Sequence, residues 1–295
     1  MRHFIEIDDL TPDELVSVLD LAELADPPKV LAGRGASLLF EKPSLRTRNA
    51  TEMAVVQLGG HPVALRAEEV DVDVREPAAD VARVLSRYHA LIAARVFEHA
   101  KLERMAAAST VPVINLLSDD GHPCQALADL LTIRQELGRL AGVSIAYVGD
   151  GNNVCRSLMI GAAMAGMDVR VGVPAGFGPS EIDVDRARAF GEVRVMNRPE
   201  EAVEGVDIVY TDVWASMGQE SHATERKRAF EGFTVDDRLM ERTAPGSLFL
   251  HCLPAHRGEE VAASVVDGAK SRVFELAENR MHAVRGLFLF LLNAQ

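Results

Sequence analysis

Nine short runs of continuously apolar residues constrain this chain more than any other feature: Ala36–Phe40, Pro62–Leu65, Ala90–Ala94, Val111–Ile114, Ser144–Val148, Val169–Val173, Val193–Met196, Ile208–Tyr210 and Ser247–Leu250. A run that does not alternate with polar residues predicts a strand buried on both faces. Longer stretches of helical spacing lie between the runs, and such alternation predicts an α/β fold of parallel sheets covered by helices. The first helix is announced by Thr11-Pro12-Asp13-Glu14, with Thr as N-cap, Pro in the first turn and Glu at the capping-box position. Leu15, Val18, Leu19 and Ala22 then give it an apolar stripe.

A chain of 295 residues has room for two such domains. A break is expected near Gly138–Gly142, after the helical pattern Gln125–Leu137 and before the strand at Ser144. That gives domains 1–137 and 138–275, followed by one long helix over Glu275–Leu292. The net charge of −13 disfavours nucleic acid, so any phosphate-bearing substrate needs a local cationic pocket. Cys124, Cys155 and Cys252 form neither a disulfide framework nor a zinc pattern, and no metal or cofactor is expected. The opening MRHFIEIDDL has no apolar run of signal-peptide type, and GLFLFLL near the other end is too short to span a bilayer. The expected setting is the cytoplasm, with no membrane partner.

Chemistry concentrates where strands give way to helices. After the apolar run ending at Phe40 come Ser44-Leu45-Arg46-Thr47-Arg48, a hydroxyl and two guanidiniums at a helix start. Such a place suits a phosphate, because backbone N–H groups point outward and arginine's fork matches phosphate oxygens. A solvated basic turn is the alternative, and these residues alone leave the two even. Arg95 closes a buried strand, where either a ligand crevice or a structural ion pair would place it. His122-Pro123-Cys124-Gln125 opens another helical pattern and offers groups that polarise a carbonyl, although a plain helix cap fits as well.

Gly149-Asp150-Gly151-Asn152-Asn153-Val154 fails as a dinucleotide fingerprint, since Val154 stands where the third glycine belongs. Its asparagines offer amide donors to a carboxylate instead. Asp212 and Ser216, in Thr211–Gly218, could hold the ammonium and carboxylate of an amino acid; an ordinary turn is the alternative. In His251-Cys252-Leu253-Pro254 a metal is not expected, on the reading that no further ligand cluster lies nearby.

Taken in order, these motifs resemble the transcarbamoylase family, and its ornithine branch in particular. Phe40–Arg48 resembles the carbamoyl-phosphate motif S-T-R-T-R, with Leu45 in place of a threonine. Arg95, His122 and Gln125 match further carbamoyl-phosphate ligands, and Asn153 matches the asparagine that holds the amino acid. Asp212-x-Trp-x-Ser216-Met217-Gly218 and His251-Cys252-Leu253-Pro254 match marks of the ornithine branch. Glu278-Asn279-Arg280-x-His282 matches the C-terminal motif.

The resemblance implies a first domain that holds carbamoyl phosphate, completed by a C-terminal helix 276–295, and a second that holds L-ornithine. It also implies a homotrimer with sites shared between subunits. Ser44, Leu45, Arg46, Thr47 and Arg48 would hold the phosphate, with Gln125 a further ligand. Arg95, His122 and Arg280 would polarise the carbamoyl oxygen. Asn153, Asp212, Ser216 and Met217 would hold ornithine. Cys252 and Leu253 would border both the attacking amine and carbamoyl phosphate, with Cys252 counted among the catalytic residues beside Arg95, His122 and Arg280. The product would be L-citrulline. Alternatives are a relative with another amine acceptor and a non-catalytic ligand-binding relative.

Leu45, Asn49–Glu52, Leu116 and Arg156 each depart from the family pattern, and one further segment departs more strongly. In Glu68–Pro77, Asp73 stands where a glycine is usual, and the loop's carboxylates are expected to repel an anionic substrate.

Overall fold

In the computed structural model, which describes residues 1–214 and 223–293, the apolar runs become nine parallel strands. They are β1 Gly35–Phe40, β2 His61–Arg66, β3 His89–Arg95, β4 Val113–Leu117, β5 Ser144–Val148, β6 Asp168–Gly172, β7 Val193–Met196, β8 Ile208–Thr211 and β9 Leu248–His251. The first four form one sheet in the order β2-β1-β3-β4, and the other five a second in the order β7-β6-β5-β8-β9. Neighbouring strands within each sheet are parallel.

Most strands sit where the runs predict them, and displaced ends have local causes. Pro112 has no N–H to donate, so the fourth strand begins at Val113, while the Pro112 carbonyl still accepts from Ile92. The sixth begins one residue early at Asp168, whose carboxylate takes hydrogen bonds from Arg170 and Arg194. The central β1 and β3 are buried nearly throughout, whereas the edge strand β2 is half-exposed.

The chain divides into two compact units, Met1–Leu131 with Glu278–Gln295, and Thr132–Ala277. In the first, the helix Pro12–Ala22 carries the expected capping box, with the Thr11 hydroxyl accepting from Glu14 N–H and Glu14 accepting from Thr11 N–H. Leu15, Val18, Leu19 and Ala22 are buried as the stripe requires. The last helix, Val273–Asn293, returns residues 278–293 to this unit. Arg285 is buried there and donates to Gln57 and to the carbonyls of Ala22 and Leu24, satisfying groups at the end of the first helix. Beside it, Gly286 permits close backbone approach: an added Cβ would lie 2.5 Å from the Val18 carbonyl oxygen and 2.6 Å from the Ala22 nitrogen.

The acidic segment Glu68–Pro77 corrects one expectation. Asp73 has φ +64°, the left-handed conformation that makes glycine usual there. Its carboxylate accepts from Ala78 N–H at 2.8 Å, at the start of the helix Ala78–Tyr88, and from Arg104 at 2.7 Å. This charge is engaged locally, so Asp73 does not act as a free repulsive group.

In the second unit an aromatic cluster of Trp214, Phe230, Phe233 and Phe249 packs with Val206, Val209 and Val261. Among the described residues, no helix is long and apolar enough to cross a membrane.

The contact at Gly286 generates a test. Alanine raises helix propensity by about 1 kcal/mol over glycine, but the added methyl meets backbone atoms that cannot give way. Gly286→Ala is therefore expected to lower stability by about 1–3 kcal/mol, read as a lower urea midpoint at unchanged slope.

Candidate active site

Each sheet has a point where the strand order reverses, and ligands of open α/β sheets gather outside the carboxyl ends of strands at such points. In the first sheet the reversal lies between β1 and β3. The residues after β1 open the helix Leu45–Gln57, with Ser44 as its N-cap and the Ser44 hydroxyl accepting from Thr47 N–H at 3.1 Å. Arg95 ends β3 alongside Phe40 in register.

Two sequence-nominated arginines of this unit converge on one hydroxyl, and His122 and Gln125 join them through Arg280. Thr47 Oγ1 accepts from Arg95 Nη1 at 3.2 Å and from Arg280 Nη2 at 3.1 Å. The same Nη2 of Arg280 lies 3.2 Å from His122 Nε2, and Nη1 donates to Gln125 Oε1. Thr47, Arg95, His122, Gln125 and Arg280 are all buried. A guanidinium only donates, so His122 Nε2 accepts, which places the imidazole proton on Nδ1. Burial, with the charges of Arg280 and Arg95, holds the His122 pKa well below its ordinary value. The imidazole is neutral at neutral pH.

Not every nominated residue joins this network. Leu45 points outward at 74% exposure, Arg46 is half-buried, and Arg48 forms an ion pair with Glu52 one turn along. Cys124 is a core thiol that donates to the Asn115 carbonyl, and burial pushes its pKa up to about 12. Sequence reasoning passed over Asp129, which accepts from Gln125 Nε2 at 2.8 Å and turns the amide oxygen toward Arg280. Its position one turn after Gln125 was the available signal.

In the second sheet the reversal lies between β5 and β8. The turn after β5 leads into the helix Asn153–Met164, with Asn152 as N-cap and Asn153 as first helical residue. Asn152 Oδ1 accepts from Val154 and Cys155 N–H, while its Nδ2 donates to Asp212 at 2.9 Å. Asp212, buried just after β8, also takes a hydrogen bond from Cys252 Sγ at 3.1 Å. The sequence offers both asparagines of this turn as amide donors to a carboxylate, and Asn152 makes that bond, to Asp212. Ser216 and Met217 lie outside the described residues.

His251 ends β9, fully buried. Its Nδ1 accepts from Leu253 N–H at 2.8 Å, so Nε2 bears the proton and faces Glu260 at 3.2 Å. Leu253 is thereby held at φ +59°, in the turn that also presents Cys252. The expectation that no ligand cluster lies near Cys252 needs correction. Asp212, His251 and Cys252 each bring one potential ligand atom within 4.8 Å of the others. Both ring nitrogens of that histidine are engaged by Leu253 and Glu260, so metal ligation would have to displace one of these bonds.

The first cluster thus gathers positive charge around a neutral imidazole, and the second pairs a carboxylate with amides and a thiol. Residues 2–135 match the family described as aspartate/ornithine carbamoyltransferase, carbamoyl-P binding domain. Residues 141–291 match its Asp/Orn binding domain. Over 304 aligned positions the chain is 50% identical to the ornithine carbamoyltransferase of Acidothermus cellulolyticus, covering 100% of this chain and 97% of the relative. The solved ornithine carbamoyltransferase of Pyrococcus furiosus superposes with TM-score 0.95 at 42% identity, covering 100% of this chain and 98% of that one. A solved N-acetyl-L-ornithine transcarbamylase superposes with TM-score 0.89 at 30% identity, covering 99% of this chain and 100% of that one.

One titration in the second unit can be checked directly. Burial pushes the Asp150 carboxyl up to about 6, against the pull of the Arg226 charge and with a further push from Asp212. The unfolded value is about 3.9, so the folded chain holds this proton more tightly. Stability from this group is then greatest below pH ~4 and falls as the pH rises to about 6, levelling off above. Asp150→Asn removes that slope. Urea midpoints of both proteins should diverge between those pH values and run parallel beyond them, whereas a constant difference throughout contradicts the assignment.

Proposed function

The chain belongs to the aspartate/ornithine carbamoyltransferase family, and from that premise we propose that it transfers the carbamoyl group of carbamoyl phosphate to the side-chain amine of L-ornithine. The products are L-citrulline and phosphate, a step of arginine biosynthesis. The observation that carries this reading is the buried network of Thr47, Arg95, His122, Gln125 and Arg280, with its excess of positive charge. Ornithine is favoured over N-acetylornithine because identity to the ornithine enzymes is higher.

In this reading the unit of Met1–Leu131 with Glu278–Gln295 holds carbamoyl phosphate, and Thr132–Ala277 holds ornithine. Ser44, Leu45, Arg46, Thr47 and Arg48 receive the phosphate at the helix start, where exposed N–H groups and the dipole favour an anion. Leu45 contributes through its backbone, since its side chain points outward. Arg95, His122 and Arg280 polarise the carbamoyl oxygen. The amine nitrogen adds to the carbamoyl carbon, those donors stabilise the resulting oxyanion, and the carbon–oxygen bond to phosphate breaks as the amine loses a proton. Gln125 fixes the fork of Arg280 with Asp129 behind it. A neutral His122 turns an N–H to the oxygen once ligand displaces its contact with Arg280.

Asn153, Asp212, Ser216 and Met217 fix the acceptor, and Cys252 and Leu253 border its amine. The Cys252 thiol, oriented by Asp212, places the amine and offers a route for its proton. Rate comes from orientation and electrostatics, with no covalent intermediate and no metal. The setting is the cytoplasm, in keeping with three free thiols. The assembly is a homotrimer with shared sites. Self-association is supported by exposed Leu45, Met53 and Val56 along one face of the helix Leu45–Gln57. A solution mass three times the 32.0 kDa of the chain would agree, and the mass of a single chain would overturn it.

Purified protein supplied with carbamoyl phosphate should form citrulline from ornithine, and give no product with putrescine or N-acetylornithine. Arg280→Gln should cut turnover by about 10²–10³. Product from another amine alone would move the acceptor, and no product from any of the three would end the catalytic reading.

A further inference from the structure

Arg226 belongs to none of the motifs above, yet it lies beside the turns that carry them. Its side chain is 14% exposed and forms an ion pair with Asp150, 10% exposed, in the turn between β5 and Asn152. Its Nε donates to the carbonyl of Trp214, two residues beyond Asp212. The guanidinium lies over the rings of Phe177 and Phe230, at 5.1 and 5.6 Å from their centroids. Phe230 in turn stacks on Trp214 at 5.4 Å. One side chain therefore joins the turn leading to Asn152 and Asn153 to the segment carrying Asp212.

The turn after β5 is fixed from another direction too. Gly151 N–H donates to the Phe177 carbonyl at 2.8 Å, and a Cβ on Gly151 would lie 2.4 Å from Gly178 and Pro179 backbone atoms. Packing of Gly151 against Phe177–Pro179 limits movement in one direction, and Arg226 draws Asp150 toward Trp214.

We propose that Arg226 is a positioning residue for the acceptor: clasped by Asp150, it fixes the spacing between Asn153 and Asp212 and so sets affinity for the amine substrate. The proposal rests on the reading that Asn153 and Asp212 hold ornithine. Lysine could balance Asp150, but it has no planar fork to bond a carbonyl and lie over two rings at once. A buried ion pair is weak support for stability, because both charges lose their water. The high pKa of Asp150 shows that this cost is felt even beside Arg226. What the pair supplies is a fixed geometry.

Trp214 is the single tryptophan of the chain, so its emission reports on this clasp without any assay of turnover. Arg226→Gln, Arg226→Lys and Asp150→Asn are compared with the unaltered protein by steady-state kinetics in both substrates and by Trp214 emission and quenching. Arg226→Gln should raise the KM for ornithine about tenfold, a coupling of ordinary size between neighbouring groups. Its kcat and its KM for carbamoyl phosphate should change by less than about threefold, since the proposed carbamoyl-phosphate ligands of the first unit are untouched. Arg226→Lys should recover part of the affinity, and in Arg226→Gln the emission should shift to the red. A fall in kcat alone, as from a smaller folded fraction, or an unchanged ornithine KM, would overturn the proposal. If the unaltered protein fails to use ornithine, the functional reading falls and takes the affinity claim with it. Emission unchanged in Arg226→Gln would separately show that the residue does not hold the two turns.

Discussion

The hydroxyl of Thr47, accepting from both Arg95 and Arg280, ties together segments that lie far apart in the chain. Arg95 arrives at the end of a buried strand, His122 and Gln125 at the start of a helix, and Arg280 from the last helix after a whole second unit has intervened. Burial first, and then the charges of Arg280 and Arg95, keep the His122 imidazole neutral. A chain with an acidic surface thus builds a cationic site by burial and local geometry.

The sheets explain why these groups can meet. In the first, the order β2-β1-β3-β4 puts the exits of β1 and β3 side by side, so the Ser44–Arg48 turn and Arg95 share one edge. In the second, the order β7-β6-β5-β8-β9 does the same for the Asn152 turn and Asp212, with Cys252 following from the next strand. The chemistry differs between the two: donors and positive charge in one, a carboxylate tied to an amide and a thiol in the other. That contrast suits an anionic donor and a cationic acceptor.

Much of this was legible in the sequence because continuous apolar runs mark strands buried on both faces, and β3 and β5 are such strands. Strand ends were less legible, since Pro112 and Asp168 shift them through local hydrogen bonding. Thr47, His122 and Gln125 stood out by their place at helix starts. Arg280 had no local signal and was found only through its resemblance to a family motif. The partnership of Arg226 with Asp150 depends on how distant turns pack together, and that of His251 with Glu260 on the path of the loop between them, neither of which spacing encodes. Asp73 was misjudged because a carboxylate in a loop looks free until its bonds to Ala78 and Arg104 are seen.

The proposed carbamoyl-donor site is the network around Thr47. Its most direct test is a crystal structure with carbamoyl phosphate and an acceptor analogue lacking the side-chain amine. The expected result places phosphate oxygens within hydrogen-bond reach of the Ser44–Arg48 turn and the carbamoyl oxygen beside Arg95, His122 and Arg280. A donor bound elsewhere, with Arg280 still bonded only to Thr47, His122 and Gln125, would contradict it.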